Sequence, residues 1–382
     1  LTMMNNLPTG PEMDDIGVEN SVIDRLAPIP NKGRGAVSNR TGRFEKHTGQ
    51  AIHDGWVRDE ELLSPPKLQT TLTKDTTKTI IARNTSPDVP FDRSINPYRG
   101  CEHGCVYCFA RPTHAYLGLS PGLDFETKLL YKPEAARLLE RELRKSSYQC
   151  KTMAMGTNTD PYQPVEKTLR LTRGILEVLS AFNHPVGIVT KSALVLRDLD
   201  ILGPMAEKGL AQVCVSVTTL DHRLANTLEP RASTPTKRLA AIRILADAGV
   251  PCGVMAAPVI PALNDHELES ILTAAHDAGA TLASYILLRL PLEIAGIFKE
   301  WLETHEPNKA KYVMSLLANT RGGKVYQSEF GTRMKDTGEY AALLKNRFEL
   351  MCNRLGYNDR RFELDTSQFC APLQKDGQLA LF

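Results

Sequence analysis

Short β-rich runs alternate with amphipathic stretches from about residue 90 to 305. The runs fall at 151–156 (KTMAMG), 186–190 (VGIVT), 213–218 (VCVSVT), 252–257 (CGVMAA) and 282–288 (LASYILL). Between them the apolar residues recur with a helical period. Pro133 stands at the first position of one such segment, and Leu138, Leu139 and Leu143 give it an apolar face. Others cover 166–182, 196–209, 235–248 and 265–278, the last two stopped by Gly249 and Gly279. One more strand just before Cys101 brings the count to six. Strand and helix in alternation predict an α/β protein, a parallel sheet with crossover helices. No Gly-x-Gly-x-x-Gly follows any strand, so a dinucleotide-binding fold has little support.

The flanks lack this rhythm. Residues 1–65 are rich in Asn, Gly, Pro and Asp and show no period, which predicts a flexible N-terminal tail. Within it Lys32, Arg34, Arg40, Arg43 and Lys46 face only Glu45, either a solvated stretch or an arm on a nucleic acid backbone. The region 66–305 is then the folded body. Residues 306–370 form an extension with an irregular stretch at 319–324 and a helix near 338–354, and 371–382 a polar tail.

Composition narrows the class. At 382 residues and 42% hydrophobic the chain can bury a large core, and a net charge of +2 excludes a protein dominated by polyanion binding. The start is polar and carries Asp14 and Asp15, unlike a secretory signal. No run approaches 18 apolar residues, so no membrane association is expected. These features predict a soluble, cytoplasmic protein.

Eight cysteines are too few for a disulfide scaffold, but Cys101, Cys105 and Cys108 lie within eight residues. Three incidental core thiols rarely gather so. A zinc site wants four ligands, usually from two separated pairs; His103 would have to be the fourth, strained between its neighbours. Three thiolates on one loop suit three irons of a [4Fe–4S] cube, with the fourth iron open to a small molecule. Gly104 allows the loop to fold tightly.

The spacing Cys101-x3-Cys105-x-Tyr107-Cys108 resembles the radical S-adenosylmethionine (radical SAM) superfamily. The resemblance implies a partial (β/α)6 TIM-like barrel, a [4Fe–4S] cluster and S-adenosylmethionine. It also implies a cellular one-electron reductant and a 5′-deoxyadenosyl radical that removes hydrogen from an unactivated C–H bond. Over roughly 90–290 the chain is similar to the spore photoproduct lyase branch, which adds a repair-like action on DNA or a nucleotide. The carrying segments are the cysteine loop, Thr157 to Asp160, Thr190-Lys191, Ser216, and Glu229 through Arg238 to Pro258. By that match Tyr107 backs the adenine, and Thr157, Asp160, Lys191 and Ser216 hold the methionine and ribose. Arg231 or Arg238 pairs with the methionine carboxylate, a task suited to a guanidinium fork. A small metabolite or peptide as substrate, or an iron–sulfur redox-sensing scaffold, are the alternatives.

Two positions depart from that branch. Its hydrogen-donating cysteine falls close to Gly156 here, and its tyrosine after the third cluster cysteine is Phe109. Spore photoproduct repair itself is therefore not expected. Finally, Gln378-Leu379-Ala380-Leu381-Phe382 resembles the peptide by which bacterial repair proteins dock on the sliding clamp. Leu381 and Phe382 would fill apolar pockets, and Gln378 and Leu379 would set the register.

Overall fold

The computed structural model describes residues 30–45, 67–331, 333, 336–359 and 363–373. Its strands are β1 (Thr71–Lys74), β2 (Ile81–Arg83), β3 (Arg93–Ile95), β4 (Tyr98–Arg99), β5 (Lys128–Tyr131), β6 (Met153–Met155), β7 (Val186–Thr190), β8 (Ala211–Ser216), β9 (Cys252–Val259) and β10 (Leu282–Leu287). The main sheet runs β10-β9-β8-β7-β6-β3-β2. Every pair in it is parallel except the edge pair β2–β3. The six parallel strands stand side by side in chain order, which is the expected partial barrel. A separate small sheet, β1-β5-β4, flanks it.

Two-residue alternation sorts each strand between two surroundings. Met153, Met155, Ile188, Val213, Val215 and Val254 are essentially inaccessible and pack with Leu176, Leu179, Ile242 and Leu245 from the crossover helices. Fully burying each such side chain stabilises by about 1.5–3 kcal/mol, so this layer carries much of the fold. On the other face Ala154, Gly187 and Gln212 lie in register, as do Cys214 and Gly253. Apart from Gln212 these are small residues.

The helices follow the period with local breaks. The segment after Pro133 is Ala135–Leu143, with Leu138, Leu139 and Leu143 buried. Pro235–Asp247 opens on a Thr234 cap that accepts from Lys237 N. The helix expected over 166–182 is two, Glu166–Leu169 and Leu171–Ala181, because Arg170 turns left-handed at φ 51°. That over 265–278 begins as a single 3-10 turn, Asp265–Glu267, before Leu268–Asp277. Helices His222–Leu228, Ile294–His305 and Ala310–Asn319 were not legible beforehand. The C-terminal helix is Gly338–Leu355, one residue longer than its period suggested.

The N-terminal segment needs correction. Residues 30–45 are not a free tail: Arg34, Ala36 and Val37 are buried. Nor are its arginines held out as an arm. Arg34 donates to Glu126 O and Leu68 O, Arg40 to Gly296 O, and Arg43 pairs with Glu293 at 2.6 Å. A short apolar stretch, Ala36-Val37, and these polar ties anchor it together.

Among the described residues no helix is long and apolar enough to cross a membrane. The clamp-like peptide, Gln378, Leu379, Leu381 and Phe382 included, lies outside the described residues.

One buried group makes the fold pH-sensitive. His184 sits where Leu171–Ala181 turns into β7, its Nε2 2.7 Å from the Tyr148 hydroxyl and its Nδ1 3.0 Å from Pro185 O. Nδ1 donates and Nε2 accepts, so the neutral ring is fully partnered. Burial drops its pKa from 6.5 to about 4. Stability from the neutral ring is present above 6.5 and lost as pH falls toward 4, at most about 3 kcal/mol. Urea midpoints measured between pH 7 and 4 should fall in this window, and less so in His184→Phe.

Candidate cofactor site at the mouth of the sheet

The three cysteines occupy one loop between β4 and a 3-10 turn, Arg111–Leu117. Cys101 and Cys105 are buried and Cys108 is half-buried. Arg111 organises the loop from behind. Completely inaccessible, it donates to Cys105 O at 2.9 Å, Gly104 O at 3.2 Å, Pro121 O at 3.0 Å and Gly122 O at 2.8 Å. Its remaining contact is Glu126 Oε1 at 2.5 Å, a carboxylate with no exposure either. Glu126 also accepts the backbone N–H groups of Gly35 at 3.0 Å and Ala36 at 2.8 Å. The N-terminal segment is thus tied to the loop through one carboxylate. A Cβ on Gly35 would stand 1.8 Å from Gly104 O, so only glycine fits that approach.

The loop leans on the C-terminal ends of the strands, where a barrel collects its ligand groups. Val106 N donates to Leu228 O at 3.0 Å, and Arg231 N to His103 O at 3.2 Å. Lys191, just after β7, places its ammonium 5.6 Å from the Tyr107 ring centre. That ammonium donates to Ser216 Oγ at 2.7 Å, Thr218 Oγ1 at 3.1 Å and Ala257 O at 3.1 Å, and pairs with Glu229 at 3.1 Å. Burial lowers its pKa to about 8, although Cys105 opposes the fall. Glu229 also holds Arg238, and it accepts from Thr218 Oγ1 at 2.5 Å and from the Tyr107 hydroxyl. Burial raises its pKa against the pull of Arg238.

Lys191, Ser216 and Tyr107 therefore converge, as the sequence suggested. Asp160 joins them from below. It accepts from Lys191 N at 2.7 Å and Thr190 Oγ1 at 2.8 Å and faces His103 Nδ1 at 3.4 Å. Burial opposes its charge, but His103 and two backbone N–H groups hold its carboxyl below the usual range. His103 is thereby turned to Asp160 through Nδ1.

The other candidates land differently. Arg238 is spent inside the protein, on Ser233 O at 2.7 Å, Ser216 O at 3.1 Å and Glu229, with 1% exposure. It positions Glu229 and is not available to an incoming carboxylate. Arg231, about one-third exposed, pairs with Glu102 at 3.2 Å. Thr157 lines a separate polar cavity with Asn96, Asn158 and Arg333. Phe109 is exposed beside Cys108. At Gly156 a Cβ would stand 1.9 Å from Val189 O, so no cysteine fits there.

Sequence reasoning missed Glu229 as the hub, together with Thr218, Arg111, Glu126 and Asn264. Asn264 donates to Thr218 O at 2.6 Å and Pro258 O at 3.0 Å, fixing the end of β9 under Lys191. For Glu229 the cue was present: an acidic residue among apolar ones, beside Pro230-Arg231.

The donor set fits an iron–sulfur cube. Burial raises all three thiols, so thiolates there demand compensating cations at the sulfurs themselves. Among the described residues no three His, Cys, Asp or Glu groups gather as ligands of one ion. A cube that takes each thiolate at a different corner requires no such gathering.

Comparison with known proteins agrees. Residues 95–275, from the end of β3 through the helix after β9, match the family model of the Radical SAM superfamily. An uncharacterized protein of Mycobacterium tuberculosis is 42% identical over 221 residues, 57% of this chain; the chain spans 65% of that relative's length. One of Methanocaldococcus jannaschii is 26% identical over 227 residues, 59% of this chain and 81% of the other. In fold, the chain is similar to a spore photoproduct lyase mutant, TM-score 0.53 at 16% identity, covering 75% of this chain and 80% of that one. A related lyase structure, TM-score 0.52 at 17% identity and with the same coverage of both chains, is described with bound AdoMet and dinucleoside spore photoproduct. The superfamily's cofactors are a [4Fe–4S] cluster and S-adenosylmethionine. The loop of Cys101, Cys105 and Cys108, set at the mouth of six parallel strands, thus lies within the part of the chain, residues 95–275, that matches the Radical SAM superfamily.

Proposed function

We propose that the protein is a radical SAM enzyme acting on DNA or a nucleotide. Cys101, Cys105 and Cys108 would hold the cluster. When bound, the cluster and S-adenosylmethionine supply a one-electron cleavage of the sulfonium that yields a 5′-deoxyadenosyl radical. The chain's own groups bind, orient and exclude water. Tyr107, its hydroxyl tied to Glu229, presents a fixed ring for the adenine. The Lys191 ammonium, held by Ser216, Thr218, Ala257 O and Glu229, would bring its positive charge to the cofactor's oxygens, exchanging a hydroxyl partner for the ligand. Arg231, the more accessible guanidinium, is the partner for the methionine carboxylate. Asp160 sets the backbone of Lys191, and Thr157 lies toward the substrate side.

The observation that carries this reading is the buried ammonium of Lys191 held over Tyr107 of the cysteine loop. The fold shared with the lyase structures and the clamp-like peptide at 378–382 support a nucleic acid substrate. The near-neutral charge of +2 favours the second reading, a small metabolite. The test is anaerobic reconstitution with iron, sulfide and a strong reductant, scoring 5′-deoxyadenosine with and without DNA. Formation stimulated by DNA is expected. Formation indifferent to DNA would move the metabolite reading ahead, and none at all would defeat the enzyme assignment.

Lys191→Met should weaken S-adenosylmethionine binding by about tenfold to a hundredfold, the loss of charged hydrogen bonds worth roughly 1.5–3 kcal/mol. Iron content should stay unchanged. Equilibrium dialysis giving wild-type affinity would reject this role.

A further inference from the structure

The sheet is open between its edge strands β2 and β10, and the segment after Ala310–Asn319 brings charge to that opening. Gly331 N donates to Asp88 Oδ1 at 2.7 Å, and Arg333 binds Asp88 at 2.6 Å and Ser86 Oγ at 2.5 Å, on the β2–β3 connection. Arg321 pairs with Asp336 at 2.7 Å. Arg289, just after β10, stands with them: burial lowers its pKa, and Arg333 and Arg321 add like charge to that effect. Arg333 and Arg321 are each ion-paired there to a carboxylate, and Asp336 also opposes the fall at Arg289.

Two further observations point to a ligand. Next to Arg333 lies a cavity of about 330 Å³ lined by Asn96, Thr157 and Asn158 from the ends of β3 and β6, with Phe91 on its wall. The Phe330 ring, 63% exposed, stacks on Arg333 at 4.5 Å. A cationic fork, amides and an exposed ring side by side are the chemistry that takes a phosphate, a base edge and a base face.

We propose that this cavity binds a nucleotide unit of the substrate, with the phosphate at Arg333 and the base against Phe330 or Phe91. The proposal rests on the nucleic acid reading above and assigns its contact surface. It places the substrate beside Thr157, on the same ends of the strands as the cofactor groups.

The test is fluorescence anisotropy with the full chain and a dye-labelled single-stranded deoxyoligonucleotide, competed with unlabelled oligonucleotide, thymidine 5′-monophosphate or inorganic phosphate. Binding that weakens with salt is expected. Arg333→Gln should reduce affinity about tenfold to a hundredfold, as lost charged hydrogen bonds do. Phe330→Ala, at an exposed position that cannot unfold the protein, should reduce it severalfold or more. Competition by the mononucleotide identifies a free nucleotide as sufficient; competition by the oligonucleotide alone identifies a polymer, and both support the site. Wild-type affinity in both variants would overturn the site while leaving DNA-stimulated deoxyadenosine formation intact. Absence of binding to the wild type would overturn it as well, and the deoxyadenosine assay then decides separately whether nucleic acid is the substrate.

Discussion

Replacing any one of Cys101, Cys105 or Cys108 with Ala should abolish the cluster and all reductive cleavage of S-adenosylmethionine. The effect is all-or-none for a physical reason. Each thiol is buried or half-buried in a loop that Arg111 braces through the carbonyls of Gly104 and Cys105. The loop carries no fourth thiol to take a vacant corner. Cys150→Ala, Cys214→Ala and Cys352→Ala should keep iron, sulfide and visible absorbance, because these thiols lie on other elements. Iron and sulfide assays on anaerobically purified protein check both halves. Zinc without iron or sulfide in the wild type would sink the assignment.

How much of this was written in the sequence differs by element. The six parallel strands were legible because both faces of β7, β8 and β9 are enclosed or half-enclosed, giving apolar runs such as Val186–Thr190 bounded by turns. The proposed metal ligands were legible because thiol spacing on one loop is local. Lys191 and Ser216 were legible as strand ends. What pairs with them was not. Glu229 meets Lys191 only after the chain has built β8 and His222–Leu228, and nothing local says which cation a buried carboxylate will hold. Arg238 illustrates the same limit. As a sequence position it is one more arginine near the cofactor; in the fold it is 1% exposed and already committed. The N-terminal segment failed for the opposite reason. Polar composition across 1–65 outweighed Ala36 and Val37, which are buried within the described stretch 30–45.

The second large effect is expected at Glu126, which composition did not mark at all. Glu126→Gln keeps the shape but removes the charge opposite Arg111. Both groups are fully inaccessible, so the variant leaves a guanidinium buried without its counter-ion. Breaking one side of a buried pair costs about 3–5 kcal/mol, a large share of the roughly 5–15 kcal/mol that holds a domain together. Replacing both partners with apolar residues often restores such losses, but here it should not. Gly35 N and Ala36 N also depend on the Glu126 carboxylate. An Arg111→Met, Glu126→Leu double variant would orphan both donors at about 1–3 kcal/mol each and strip four loop carbonyls of Arg111. Urea unfolding of the cluster-free protein should therefore show Glu126→Gln strongly destabilised and the double variant no better. Iron retention after reconstitution should fall in both, although every cysteine is present. A double variant as stable as the wild type, with full iron content, would show that the pair does not organise the cysteine loop.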